Sequence, residues 1–71
     1  MTLNDLSYDV LTALQSKLEA VSAYEMYIDD CEEAGDDEAR RVFEEIMQED
    51  ERHVERLRDL LESMVKQGKF R

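Results

Sequence analysis

The placement of the chain-breaking residues constrains this sequence more than any other feature. Its 71 residues include no proline, and the only glycines are Gly35 and Gly68. Long stretches without these two residue types favour helices, and an isolated glycine commonly ends one. The sequence therefore predicts a single domain over 1–71, with one helix over about residues 3–33, a turn over 34–37 and a second helix over about 38–67.

Apolar side chains recur every seven residues through the first predicted helix. Two adjoining rows form one face: Leu3, Val10, Lys17, Tyr24 and Cys31, and Leu6, Ala13, Ala20 and Tyr27. A further row widens this stripe beyond what one partner helix can cover: Leu11, Leu14, Leu18, Val21 and Ile28. We therefore expect an all-α fold in which an antiparallel two-helix hairpin homodimerises into a four-helix bundle or joins a larger homo-oligomer.

Two polar residues interrupt the apolar stripe of the second helix. Asp50 and His53 lie within a predicted core face of Ala39, Phe43, Ile46, Leu57, Leu60, Leu61 and Met64. Lys17 precedes Gly35 by 18 residues and His53 follows it by 18, so equal helical rise places them at one height, with Asp50 about one turn nearer the loop. Lys17 and Asp50 would then form a neutral polar layer that fixes helix register, or Asp50 and His53 of two subunits would bind a metal ion.

The charge and the cysteine content exclude several classes of function. A net charge of -10 repels nucleic-acid phosphates, so we expect no nucleic-acid partner. No apolar run is long enough to span a bilayer, so we expect no membrane partner. The single cysteine, Cys31, cannot form an internal disulfide, and this favours a reducing, cytoplasmic location.

Two segments of the chain resemble a known family. The stretch LEAVSAYEMYIDDCEEAG (18–35), followed by QEDERHVERL (48–57), is similar to the ferritin-like superfamily and most closely to the encapsulated ferritins. The resemblance implies a short helical hairpin that dimerises into a four-helix bundle and builds a di-iron site between subunits. It also implies oxidation of ferrous iron, the ferroxidase reaction, and residence as cargo inside a protein shell, a nanocompartment.

Carried over residue by residue, the family pattern assigns a role to five positions. Asp50 and His53 match the liganding Glu-x-x-His, and Tyr24 matches a tyrosine beside the metal. Glu19 matches an acidic position near the metal entry path. Lys17 occupies the position of a liganding glutamate, so we expect its ammonium to neutralise Asp50 in place of a metal. Glu49 is a further, weaker candidate ligand.

The resemblance and Lys17 favour different functions. The family implies an iron-handling protein with a degenerate site and weak or absent ferroxidase activity. A single ion such as zinc bound by two copies of Asp50 and His53, or a second homologous chain that completes the site, would also retain metal. The alternative is a metal-free, non-catalytic helical module for oligomerisation or partner binding on the same fold.

Overall fold

The computed structural model describes residues 3–68, with side chains described from Asp5 onward, and it is a two-helix hairpin. Helix α1 spans Leu3–Ala34 and helix α2 spans Asp37–Lys66, and the two helices pack against each other along their length. The predicted all-helical hairpin is confirmed, and its predicted helix ends differ from the observed ones by no more than one residue. The hairpin measures 49 × 15 × 15 Å.

A glycine and an aspartate form the connection between the helices. Gly35 has a φ of 72°, a left-handed conformation that costs a residue with a Cβ atom. The amide of Gly35 donates to the Glu32 carbonyl at 3.1 Å and that of Asp36 donates to the Cys31 carbonyl at 3.0 Å, the paired bonds of a Schellman motif. The Asp36 carboxylate then accepts a 2.9 Å hydrogen bond from the Ala39 amide and caps α2.

The seam between the helices follows an alternating three- and four-residue spacing. Its buried apolar members are Val10, Ile28, Cys31, Val54 and Met64, and the buried polar ones are Ser7 and Asp50. Val54 and Ser7 were not among the residues predicted for the core. Val54 lies four residues after Asp50 and three before Leu57, so the same spacing that identifies Leu57 includes it.

The hairpin leaves much apolar surface uncovered. It exposes 5373 Å², whereas a compact monomer of 8.4 kDa exposes about 4,600 Å². Several large apolar side chains, predicted to be part of the apolar stripes, are exposed by about 40% or more: Leu6, Leu11, Leu18, Tyr27 and Leu60. Between Leu3 and Gly68, neither helix is both long and apolar enough to cross a membrane.

One side of the hairpin combines exposed and half-buried residues from both helices, most of them apolar. We call it the open face and define it by Leu6, Ala13, Ala20 and Tyr27 of α1 and Ile46, His53 and Leu60 of α2. Within each helix these residues recur at seven-residue intervals, so they remain on one side along its length. Ala13, His53 and Leu60 line a single groove there, which shows that the two rows adjoin. The small alanines allow another helix to approach closely.

Candidate functional site

A lysine and an aspartate meet at the middle of the seam. The Lys17 ammonium donates a 2.8 Å hydrogen bond to the Asp50 Oδ1 atom, and the two groups form an ion pair. The Asp50 side chain is 12% exposed and that of Lys17 is 36% exposed, so the carboxylate is the more deeply buried partner. The contact expected between these two residues is present within one chain, and it gives the buried carboxylate a charged partner.

His53 lies beside this ion pair rather than inside the seam. Its Nδ1 atom is 3.6 Å from Asp50 Oδ1, the same oxygen that accepts from Lys17, and its side chain is 46% exposed. This separation exceeds a hydrogen bond, so the imidazole adjoins the carboxylate without being held by it. Three-residue spacing on α2 brings the two side chains together, and the orientation leaves His53 facing outward on the open face.

A groove on the open face surrounds the exposed side of the ion pair. It is lined by Ala13 and Lys17 of α1 and by His53, Arg56, Leu57 and Leu60 of α2. Arg56 is not among the residues predicted for the site. Its position three residues after His53 predicts that it shares this side of the helix. The open face therefore has a cationic and imidazole cluster at its centre and apolar surface on both sides.

An aromatic cluster lies between the ion pair and the turn and extends from the seam to the open face. Tyr24 and Tyr27 stack edge-on with ring centroids 5.8 Å apart, and Phe43 lies 6.0 Å from Tyr24 and 5.5 Å from Tyr27. These separations are typical of stabilising aromatic pairs. Tyr24 thus packs against α2 about two turns from Lys17. Its role beside a metal ion stays a prediction.

The two remaining candidate acids lie apart from the ion pair. Glu19 is exposed, and its Oε1 atom accepts a 3.3 Å hydrogen bond from the Gln15 side-chain amide. A rotation of about 200° around the helix separates Glu19 from Lys17. Glu49 is exposed next to Asp50 on α2, and among residues 3–68 no ion pair within 4 Å involves it.

The donor groups within one chain do not fit a di-iron site. In the part of the chain that the structure describes, no group of three or more histidine, cysteine, aspartate or glutamate residues is arranged to hold a metal ion. The oxygen ligands that hard iron prefers are reduced here to Asp50, and an ammonium occupies one of its oxygens at 2.8 Å. A divalent ion beside Asp50 would displace this ammonium or repel it.

Cys31 lies in the seam next to the turn. Burial raises the pKa of its thiol, and the nearby carboxylates of Asp36 and Asp30 raise it further. A thiol with a raised pKa carries little thiolate, the form that reacts and binds metals. Cys31 is therefore a packing residue of the helix junction.

No family model, curated protein or solved structure matches this chain.

Proposed function

We propose that this protein is a homo-oligomeric helical module, a ferritin-like four-helix bundle made of two hairpins, in which an ion pair replaces the metal. The observation that carries the proposal is the 2.8 Å contact between the Lys17 ammonium and Asp50 Oδ1. In this interpretation the module acts through its assembled shape, as a scaffold or as a surface for a protein partner, and it catalyses no reaction.

The uncovered open face supports the oligomeric part of the proposal. In the described hairpin the buried apolar side chains are only those of Val10, Ile28, Cys31, Val54 and Met64, so a single copy has a thin core. Small domains of this size commonly gain their stability from oligomerisation. A second hairpin on the open face would cover Leu6, Tyr27 and Leu60 and complete a four-helix core.

The Lys17–Asp50 pair supports the metal-free part of the proposal. A buried carboxylate needs a counter-charge, and the lysine supplies it without any ion from solution. Such a polar layer disfavours helix registers in which it would face apolar residues, a function known for polar core positions in coiled coils. The proposed role of the pair is therefore to select one packing of the bundle.

A second candidate function is iron handling of the encapsulated-ferritin kind. The observation that favours it is the adjacency of Asp50 and His53, whose imidazole is exposed on the open face. A dimer would bring together two Asp50 and two His53, with Glu49 nearby. Iron would then be the substrate, or one divalent ion such as zinc would be bound, and Lys17 would have to move aside. A surrounding protein shell belongs to this second candidate.

Metal content and mass, measured together, test the first proposal. Protein purified without chelator should have a mass near twice the 8.4 kDa of the chain or a higher multiple, and it should contain far less than one metal ion per dimer. One or two tightly bound ions per dimer would contradict the metal-free proposal and favour the second candidate. A monomeric mass would contradict the oligomeric part.

Restoring the carboxylate separates the two candidates further. Lys17→Glu supplies the missing acidic ligand, whereas the control Lys17→Met removes the ammonium without adding one. If the other ligands remain usable, Lys17→Glu should bind ferrous iron and Lys17→Met should bind much less. Equal, negligible binding by both variants would show that the ligand set is lost and would count against the iron-handling candidate.

A further inference from the structure

The charge of this hairpin is concentrated at one end. Residues 18–52, the half that contains the turn, carry 14 acidic and three basic residues, whereas the other described residues, 3–17 and 53–68, carry five acidic and four basic residues. The two helices are antiparallel, so these 35 central residues lie together at the turn end. Each copy therefore has a strongly negative end and a nearly neutral end.

Two symmetric dimers can form on the open face. In one, the turns of both copies are at the same end of the bundle, and in the other they are at opposite ends. Helices in contact lie about 8–10 Å apart, which is close to the Debye length at physiological salt, so charges on the two copies influence each other. The same-end dimer places the two negative halves side by side, whereas the opposite-end dimer places each against a nearly neutral half.

The polar layer sets the register of the opposite-end dimer, because symmetry already fixes the heights in the same-end one. Lys17 is close to the midpoint of α1, and Asp50 and His53 lie on either side of the midpoint of α2. A two-fold axis that crosses the bundle at this height lets the polar layers of the two copies meet. Sliding one hairpin along the helix axis would bury each polar layer against apolar residues. The register with aligned layers is therefore favoured.

This register brings a specific pair of opposite charges together in the opposite-end dimer. There α2 runs antiparallel to the partner's α2, and positions equally far above and below the centre of the layer face each other. Glu49 and Arg56 lie on the two sides of that centre, about 4 Å and about 7 Å from it along the helix axis, and their long side chains can span the difference of about 3 Å. Their seven-residue separation places them on the same side of α2 but too far apart to pair within one chain.

We infer that the hairpins pair through their open faces with the turns at opposite ends, and that Arg56 of each copy forms an ion pair with the partner's Glu49. In the described hairpin, neither side chain has an ion-pair partner within 4 Å. Arg56 borders the groove on the open face, where a second copy would reach it. This inference rests on the proposed dimer and adds its orientation and its recognition residues.

Spin-label distances test the orientation directly. In a Cys31→Ala background, a nitroxide on Glu33→Cys marks the turn, and one on Glu51→Cys marks the mid-height of the bundle as a control. Opposite-end pairing should give a turn-to-turn distance of about 45–55 Å, because each turn is about 24 Å from the centre. Same-end pairing would give less than about 30 Å, the width of a bundle. The Glu51→Cys label should give a short distance in both arrangements.

The outcomes distinguish this inference from the proposed function. A dimeric mass with a short turn-to-turn distance would overturn the orientation and leave the dimer intact. A monomeric mass for the natural sequence would overturn both. A long turn-to-turn distance together with a short mid-height distance is the expected result.

Charge reversal tests the Arg56–Glu49 pair without any label. Arg56→Glu and Glu49→Arg should each weaken dimerisation by about tenfold, because each turns two attractive contacts into two repulsive ones. The double variant should recover most of the loss. The matched controls Arg52→Glu and Glu55→Arg make the same changes in net charge at exposed positions elsewhere on α2, and should have little effect. If the double variant dimerises no more tightly than the single variant with the lower affinity, the proposed contact is overturned.

Discussion

At the scale of single residues, the main feature is the way in which the charge of the buried Asp50 carboxylate is neutralised. Asp50 is held in a mostly apolar seam, and the nearest cation is the Lys17 ammonium at 2.8 Å. His53 adjoins the same oxygen but is directed outward. One hydrogen-bonded lysine thus accounts for the presence of an acid in the core of a small helical protein.

Removing one partner of the ion pair should destabilise the fold more than removing both. Lys17→Met leaves the mostly buried Asp50 without its counter-charge and should lower the free energy of unfolding by about 1–3 kcal/mol. The double variant with Asp50→Leu should lose less than Lys17→Met alone, because no charge is left buried. Chemical denaturation at one fixed protein concentration measures all four members of this cycle.

A null result from this cycle is also informative. If the changes in the free energy of unfolding caused by Lys17→Met and Asp50→Leu simply add, the two groups do not stabilise each other. The ion pair then does not help to select one register of the helices. A coupling free energy of about 1 kcal/mol or more would support the proposed polar layer.

Cys31 should make the stability depend on alkaline pH. Its pKa in the folded chain is raised above the ordinary value of 9.0, so the thiol deprotonates more readily in the unfolded chain. The contribution is fully present below pH 9 and is lost as the pH rises from the unfolded pKa through the folded one. Comparing Cys31→Ala with the natural sequence between pH 8 and pH 10 isolates this loss. If the free energy of unfolding changes with pH to the same extent in both proteins, Cys31 does not cause the loss.

At the scale of the elements, the helix junction is defined by three consecutive kinds of interaction. Gly35 provides the left-handed turn, the Schellman hydrogen bonds satisfy the end of α1, and Asp36 caps the start of α2. Asp37 and Glu38 then place negative charge in the first turn of α2, where the helix dipole favours it. This sequence of residues ends one helix and starts the next within two positions.

Loss of the cap should cost a measurable part of the stability. Asp36→Ala removes the acceptor of the 2.9 Å bond from the Ala39 amide and should lower the free energy of unfolding by about 1 kcal/mol. Asp36→Asn retains an acceptor and serves as the control, with a much smaller expected loss. Thermal melting followed by circular dichroism measures both variants. Equal losses would indicate that the charge of Asp36, rather than its hydrogen bond, stabilises the helix.

At the scale of the whole molecule, the uncovered apolar surface determines how the hairpin can exist in solution. Two exposed apolar regions lie on opposite edges of α1. The open face includes residues of both helices and surrounds the polar layer, whereas Leu11 and Leu18 belong to a groove formed by α1 alone. Only the first region spans the full hairpin, which is why the proposed dimer uses it.

A charge placed on the open face should break the assembly. Leu60→Glu puts a carboxylate where a second copy would pack and should raise the dissociation constant of the dimer at least tenfold. Leu18→Glu is the matched control, because Leu18 has a similar exposure of 41% against 47% but lies on the other edge of α1. Sedimentation or light scattering over a concentration series measures both. Dissociation caused by Leu18→Glu alone would place the interface on the other edge.

The sequence by itself determined the two helices, the turn and the height of the polar layer. The two glycines mark the ends of the helices in the sequence. Because the rise per residue of a helix is constant, counting from Gly35 gives the height of Lys17 relative to Asp50 and His53. The roles implied by the ferritin-like resemblance, in contrast, stay predictions, because they depend on a second chain and on an ion.

Only the tertiary structure decided how closely the groups of the layer approach each other and which of them face outward. The predicted contact between Lys17 and Asp50 is present, and the four-carbon side chain of Lys17 reaches about one turn along the helix to make it. Packing also turned His53 outward and brought Arg56 to the edge of the open face. Rotation about each helix axis and side-chain reach are set by the partner helix, and linear spacing does not specify them.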